Sequence, residues 1–219
     1  MLKIKRIRKI AILITICTST NIFSQIQNEF YVNDAKKIDI VTLNFCVDKD
    51  GKTKQVKVVP EKTTYKNLEN IGKITEYLKG AEYDSKSSFS NKCQDLSFSF
   101  INQKYQDKHL DSSEFRLCEK LKTGIFRYDN VLYADTEIER TNDIQIEKTA
   151  KDTFIYKIEW PEPNKYILTY LEVSDDQYSY LVGEKINVEI IDVMENGEYV
   201  YKSELLNRTF ISGTMKKVK

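Results

Sequence analysis

The side chains that could support catalysis are few in this sequence. His109 is the only histidine, so a Ser-His-Asp or Cys-His triad would have to use it. Asp111, Ser112 and Ser113 follow it closely, but the members of a triad must converge in space rather than crowd one loop. We therefore interpret His109 as a solvated histidine of a polar linker and predict no catalytic residues.

Two pairs of neighbouring carboxylates are the nearest candidates for the acid and base of a glycoside hydrolase. They are Asp175 with Asp176, and Glu159 with Glu162. Acidic pairs of this kind are more often solvated loop residues, and we interpret both in that way. The seven glycines are scattered singly, so the chain has no glycine-rich phosphate-binding loop.

The cysteines and aromatic residues do not indicate a metal or cofactor site. A zinc site requires several Cys or His ligands at short spacing, and Cys46, Cys93, Cys118 and His109 show no such spacing. We interpret Trp160 and the 14 tyrosines as residues of the core and of sheet faces. The expectation is a protein that is not an enzyme, with no metal and no cofactor.

Residues 1–24 have the order of a cleavable secretory signal peptide. A basic stretch at 3–9 precedes an apolar run at 10–17, and no acid occurs among them. The apolar run is shorter than the roughly 20 residues that span a bilayer. A retained anchor is the alternative, and a lipoprotein is disfavoured because Ile16 stands where a small residue must precede the lipidated cysteine. We expect cleavage near Ser24-Gln25 and a mature protein that is periplasmic or extracellular.

Removal of this segment changes the charge balance. It takes away five of the 34 basic residues and no acid, so that 29 basic residues face 33 acidic ones. No Lys/Arg-rich block remains, whereas nucleic-acid binding requires a basic face. We expect no nucleic-acid partner and no transmembrane span in the mature chain, whose roughly 195 residues suit one or two domains.

The first folded segment begins with a predicted β-hairpin. Apolar residues recur at every second position of 38–47, as in a half-buried strand; they are Val41, Leu43, Phe45 and Val47. A turn at 48–51, where Gly51 tolerates positive φ, leads into a second alternating segment at 54–59.

A helix and a third strand follow the hairpin. Thr63 or Thr64 can cap the helix, and Gly80 ends it. Its apolar stripe has spacings of three and four residues: Leu68, Ile71, Ile74 and Leu78. With a third strand over 93–101, the order is β-β-α-β, an α+β domain in which one helix covers one face of an antiparallel sheet.

This segment resembles the C-terminal domain of TonB and its relatives. The motifs are "LNFCVDKDGKTKQVKVV", "LKGAEY" and "DLSFSFI", within a predicted domain at 30–106. The resemblance implies a periplasmic protein-interaction fold whose edge strand pairs with an extended segment of a partner. An energy-transducing TonB also needs a retained anchor and a long proline-rich segment, and here no proline precedes Pro60. We therefore expect the fold without energy transduction.

The second folded segment, 114–217, predicts mainly strands. A polar stretch at 103–113 precedes it, and 114–121 predicts a short helix or an irregular lead-in. The eight candidate strands are 125–128, 138–140, 144–148, 153–160, 165–173, 185–193, 199–205 and 207–215. Short strands at roughly even spacing predict an all-β antiparallel meander that curls into a barrel or half-barrel.

This half resembles small exported bacterial β-domains with a lipocalin-like pattern, through "CEKLKTGIFRY", "KYILTYLEV", "GEKINVEII" and "SGTMKK". Chains of this group are sometimes labelled DNA topoisomerase IV. The sequence does not support that activity, because no acidic metal-binding cluster accompanies a catalytic tyrosine. In the group, a cysteine at the domain start has a partner just after the tryptophan-containing strand. Here the first is Cys118, and Asn164 stands at the second position.

One disulfide is predicted, between Cys46 and Cys93. Export allows disulfides, and three cysteines remain after cleavage, so at least one is free or intermolecular. Strand parity places both cysteines on the helix-free face. If the resemblance to TonB holds, the first and third strands are antiparallel neighbours, with the end of one beside the start of the other. Cys118 is then left unpaired; two unrelated half-buried thiols at 46 and 93 are the alternative.

Two functions follow from these patterns. The first is a non-enzymatic envelope protein that binds another envelope protein through the sheet edge of the first domain. The alternative is a carrier that holds a small apolar ligand inside the β-meander. An exposed, unpaired third strand would favour protein binding, and a barrel cavity of several hundred Å³ would favour the carrier.

Overall fold

The computed structural model describes residues 28–204 and 210–219. The predicted signal peptide and its cleavage site lie outside these residues. The strands are β1 (Glu29–Val32), β2 (Ile38–Val47), β3 (Thr53–Val58), β4 (Lys92–Asn102), β5 (Gly124–Tyr128), β6 (Glu137–Arg140), β7 (Ile144–Lys148), β8 (Thr153–Glu162), β9 (Lys165–Val173), β10 (Lys185–Val193), β11 (Glu198–Glu204) and β12 (Phe210–Lys217), and the helix α1 spans Leu68–Lys79. Short 3-10 helices at Pro60–Lys62, Gln103–Tyr105, Ser112–Leu121 and Asp176–Leu181 complete the elements.

Strands β1 to β4 form one sheet in the order β1-β4-β2-β3. β2 and β4 are antiparallel over their whole length, from Ile38 opposite Ile101 to Val47 opposite Lys92. β1 pairs with β4 in parallel and was not expected, so the predicted order β-β-α-β is wrong by one strand at its start. The rest of the α+β arrangement is present, with β3 antiparallel to β2.

Helix α1 covers one face of this sheet, but it begins later than the sequence predicted. Its N-cap is Asn67, whose side-chain oxygen accepts hydrogen bonds from the backbone N–H groups of Glu69 and Asn70. The proposed caps Thr63 and Thr64 instead accept backbone N–H groups of β2 through their hydroxyls. Gly80 is the C-cap, as expected.

The helix contributes three buried side chains to the first core: Ile71, Ile74 and Leu78. They pack against the inward residues of β2 and β4, and each contributes about 1.5–3 kcal/mol through burial. Leu68 had been assigned to the same stripe, but it is 81% exposed. The first turn of the helix therefore projects beyond the edge of the core.

Strands β5 to β12 close into an antiparallel barrel in sequence order, with β12 paired to β5. The predicted meander is thus a complete barrel rather than a half-barrel. Its connections alternate between two ends. The end with the 3-10 helix Ser112–Leu121 and the tight turns after β6, β8 and β10 is called the closed end. The other, with the loops after β5, β7 and β9, is called the loop end.

The four-stranded sheet packs against the outer wall of the barrel. Ile101 and Tyr105 form a buried cluster with Ile191 of β10 and Val200 of β11. Lys37 makes an ion pair with Glu198 at the periphery of this contact. The connecting segment contributes to the packing, since Tyr105 and Leu110 are both buried.

Candidate functional site

The residues considered for catalysis lie at the surface and do not converge. His109 is 72% exposed, and its Nδ1 lies 2.9 Å from a carboxylate oxygen of Glu189. Asp111 caps the 3-10 helix Ser112–Leu121 by accepting the N–H of Ser113. His109 and Asp111 therefore contact residues of different elements, and they do not act together on one serine or cysteine.

The two carboxylate pairs also bind their own neighbours. Asp175 caps the 3-10 helix Asp176–Leu181 through the N–H of Gln177. Glu159 makes an ion pair with Lys157, and Glu162 makes one with Lys165. Asp175 and Asp176 are thus part of a solvated turn, as the sequence indicated, whereas Glu159 and Glu162 are exposed residues of strand β8 rather than of a loop.

Cys46 and Cys93 form a disulfide bond, with their Cα atoms 3.9 Å apart. They are directly opposite each other on β2 and β4, which is the pairing that strand parity and the TonB resemblance predict. Cys118 is a free, buried thiol in the barrel core. Burial raises its pKa to about 11, so the thiol stays protonated and unreactive at neutral pH.

The barrel encloses a cavity of about 330 Å³, at the lower end of the roughly 300–1,000 Å³ range of small-molecule sites. It lies toward the loop end, where Asn130, Tyr133 and Thr149 line it. Six tyrosines form much of its wall: Tyr128, Tyr133, Tyr156, Tyr166, Tyr170 and Tyr201. From the sequence, the tyrosines are expected only as core and sheet-face residues, and their role in lining a cavity is not.

Glu147 supplies a carboxylate to this tyrosine-lined wall. One of its oxygens, Oε1, accepts a hydrogen bond from Gln145 Nε2 at 2.7 Å. The Tyr128 hydroxyl donates toward both oxygens, at 3.2 and 3.1 Å. Burial raises the pKa of this carboxyl above its ordinary value, although the hydrogen bonds from Tyr128 and Gln145 oppose that shift.

Arg140 fills the closed end with a second buried charge. It is 2% exposed, and its guanidinium stacks between the rings of Phe126 and Tyr166, each 4.7 Å away. Its Nε donates to Gln145 Oε1 and one terminal nitrogen donates to the Leu121 carbonyl, both at 2.8 Å. The other terminal nitrogen lies 3.4 Å from the hydroxyls of two tyrosines, Tyr166 and Tyr199.

The amide of Gln145 joins buried Arg140 to Glu147 at the cavity wall. It accepts from Arg140 on one side and donates to Glu147 on the other. This fixes the orientation of the amide, because each end has a partner of defined polarity. A continuous chain of hydrogen bonds therefore runs from the closed end to the cavity wall.

Gly213 lets the cavity wall close around Tyr201. The two residues are directly opposite on β12 and β11. A Cβ at Gly213 would lie 2.3 Å from the Tyr201 hydroxyl oxygen and 2.4 Å from Cζ. Only a residue without a side chain allows the ring to lie flat over this strand.

Neither Arg140 nor Glu147 was identified from the sequence. Glu147 was missed because the polar residues of β7 face inward and its apolar residues face outward. Its isoleucines, Ile144 and Ile146, are half-exposed, whereas Gln145 is buried and Glu147 lines the cavity. An apolar residue at alternate positions normally marks the inward face. One signal was available: Arg140 shares the parity of Ile138 in β6, which places it on the inward face.

No protein-family model, no curated protein and no solved structure matches the chain. Across residues 28–204 and 210–219, none of the helices is long and apolar enough to cross a membrane. Within the same residues, no group of three His, Cys, Asp or Glu side chains is placed to hold a metal ion.

Proposed function

We propose that this protein is an exported, non-enzymatic carrier whose barrel holds a small ligand. The observation that carries the proposal is the cavity of about 330 Å³ inside the closed barrel. A barrel that served only as a scaffold would be filled by its own side chains, as the closed end is around Arg140. The resemblance of this half to lipocalin-like β-domains agrees with a binding role.

The lining of the cavity favours binding over catalysis. Among the described residues, its wall contains no histidine, cysteine or lysine. The Ser203 hydroxyl donates to the backbone carbonyl of Ile211. Ser212 and Thr214 have the opposite strand parity to the core residue Met215, so their hydroxyls point away from the cavity, to Glu29 and to the Asp129 carbonyl. A nucleophile needs a neighbouring base or a depressed pKa to react.

The proposal of export rests on two features. Residues 1–24 have the order of a signal peptide, and the Cys46–Cys93 bond favours an oxidising compartment. Mass measurement of protein from the envelope or the medium tests it directly. Cleavage near Ser24-Gln25 is expected, and a full-length mass that retains Met1 would refute export by this route.

The carrier proposal is tested by analysing what the purified protein contains. Solvent extraction and mass spectrometry of the wild-type protein from the envelope should yield a small molecule in stoichiometric amount. Ile186→Trp places a large ring in the cavity wall and should abolish it. Lys185→Trp, on the exposed side of the same strand, is the matched control and should retain it. Equal amounts in the two variants would contradict a ligand in the cavity.

A second candidate is the TonB-like protein-interaction role. β1 covers the outer edge of β4 only from Ser99 onward. From Lys92 to Phe98 that edge has no strand partner among the described residues, so an extended segment of another envelope protein can add there. β1 therefore covers four of the eleven residues of this edge strand. A proline in place of Ser97, whose backbone lies on this edge, should abolish capture of such a partner without emptying the barrel.

A further inference from the structure

Glu147 is the sole charged side chain among the described residues that line the barrel cavity. The rest of the wall consists of tyrosines, small hydroxyl and amide side chains, and aliphatic groups. A buried carboxylate carries a large desolvation penalty unless an opposite charge or several hydrogen bonds compensate for it. The chemistry of the ligand is therefore constrained by what compensates Glu147.

The protein compensates this carboxylate only in part. Oε1 receives hydrogen bonds from Gln145 and Tyr128, but from the residues that the structure describes Oε2 receives only the 3.1 Å contact of Tyr128. An ionised carboxylate accepts about four hydrogen bonds. Oε2 therefore has acceptor capacity to spare on a group that lines the cavity.

Arg140 makes no ion pair with Glu147, although its charge lowers the pKa of the carboxyl from a distance. Its guanidinium is held by Gln145, the Leu121 carbonyl and the tyrosine hydroxyls at the closed end. It reaches Glu147 only through the amide of Gln145. Glu147 therefore faces the cavity, whereas the Arg140 guanidinium lies outside it, stacked between two aromatic rings.

The tyrosines around Glu147 provide a suitable surface for a positive charge. Tyr156 and Tyr170 have ring centroids 4.6 Å apart, and Tyr128 and Tyr133 are 5.7 Å apart. Aromatic faces attract cations through the ring quadrupole, and a desolvated site strengthens this attraction. Several faces arranged around one carboxylate recognise an ammonium group from more than one side.

We propose that the ligand of this barrel is a small organic cation, with its ammonium group against Glu147 and the tyrosine rings. The inference rests on the proposed carrier function and names its ligand class. It replaces the apolar ligand that the sequence suggested. An anion would be repelled by Glu147, and a neutral molecule would bring no positive charge to the side of the carboxylate that faces the cavity.

The test compares choline with 3,3-dimethylbutan-1-ol, in which carbon replaces the charged nitrogen at nearly the same shape. Calorimetric titration at neutral pH and low ionic strength should give the wild-type protein at least about a tenfold preference for choline. Glu147→Gln keeps the shape of the side chain and should remove the preference. Glu139→Gln, an exposed change on β6, should retain it.

A second measurement needs no variant. Choline keeps its charge at every pH, so its affinity for the wild-type protein should fall as the pH is lowered through the raised pKa of the Glu147 carboxyl. The alcohol should show no such dependence. The groups facing Glu147 do not titrate in this range, because burial raises the pKa of each tyrosine and a guanidinium stays charged; they are Tyr128 on β5, Arg140 on β6, Tyr156 on β8, Tyr170 on β9 and Tyr201 on β11.

The outcomes separate this inference from the carrier function. Equal affinity for choline and the alcohol overturns the cation inference and leaves a carrier of neutral ligands. Binding of neither compound also overturns it. If the purified protein in addition contains no extractable small molecule, the carrier function is refuted with it.

Discussion

Replacement of Arg140 by methionine should destabilise the barrel strongly. Gln145 Oε1 and the Leu121 carbonyl each accept a 2.8 Å hydrogen bond from the guanidinium. The change leaves both of these acceptors without a donor. Two buried acceptors without partners cost about 2–6 kcal/mol together. Methionine also avoids the desolvation of a charge, which offsets part of this loss. We expect the free energy of unfolding to fall by about 3 kcal/mol, a large fraction of the roughly 5–15 kcal/mol of a typical domain.

Urea denaturation monitored by tryptophan fluorescence measures this change in the right part of the molecule. Trp160 is the only tryptophan and lies on β8, with its ring 5.9 Å from the Arg140 guanidinium. The matched control is Arg127→Met, which removes an exposed arginine with a 3.6 Å ion pair to Glu137. That variant should lose less than about 1 kcal/mol. A loss below about 1 kcal/mol for Arg140→Met, at unchanged m-value, would refute the structural role assigned to the buried guanidinium.

Three further changes test other parts of the structure. Replacing Cys46 and Cys93 by serine should lower the free energy of unfolding by about 3–4 kcal/mol in denaturant titrations, since the bond closes a long loop. Burial raises the pKa of the Glu147 carboxyl above 4.5, so the native state retains a proton that the unfolded state has released. Wild-type stability should therefore fall as pH rises from about 4.5 through the raised pKa, and Glu147→Gln should remove this fall in paired urea titrations. Gly213→Ala should weaken choline binding in calorimetry, because its Cβ displaces the Tyr201 ring.

Each of these has a control. Reduction of the wild-type disulfide should reproduce the loss of the double serine variant, and no loss in either would contradict a stabilising bond. Glu139→Gln should leave the pH dependence of stability intact. If this variant also loses the pH dependence, Glu147 is not the titrating group. Gly72→Ala meets no atom within 4 Å and should stabilise α1 by about 0.5–1 kcal/mol without affecting binding. Unchanged binding by Gly213→Ala would show that the Tyr201 ring does not bound the site.

The strands that the sequence predicted well are those with one face in a core. β2 and β4 alternate because one face packs against α1, and their parity also placed Cys46 and Cys93 on the opposite face. β1 was missed because its four residues are all half-buried and show no alternation. Its position depends on a parallel pairing with β4, which is distant in sequence.

The helix start was wrong for a different reason. Thr63, Thr64 and Asn67 are all acceptable caps by residue type. Their use is decided by tertiary contacts, since the two threonine hydroxyls accept backbone N–H groups of β2. A local pattern could not distinguish a cap from a strand contact.

The interior of the barrel could be predicted least. Period-two patterns identify which residues share a face, but they do not say which face is inside when polar residues are buried. In β7 the apolar alternation points outward and Gln145 points inward. The chain from Arg140 to Glu147 joins two strands, β6 and β7, and it is recognised only when their register and their inward face are known.

The cluster of side chains around buried Arg140 blocks the closed end of the barrel, so the cavity does not run through the barrel from one end to the other. A molecule in the cavity must leave through the same loop end by which it arrived, so no second molecule can displace it from behind. Under the proposed carrier function, exchange would then be limited by the dissociation of the bound ligand, and delivery to another protein would take place at the rim formed by the loops after β5, β7 and β9. Substitutions there should alter the rates of loading and release more than the affinity, which is set deeper in the wall.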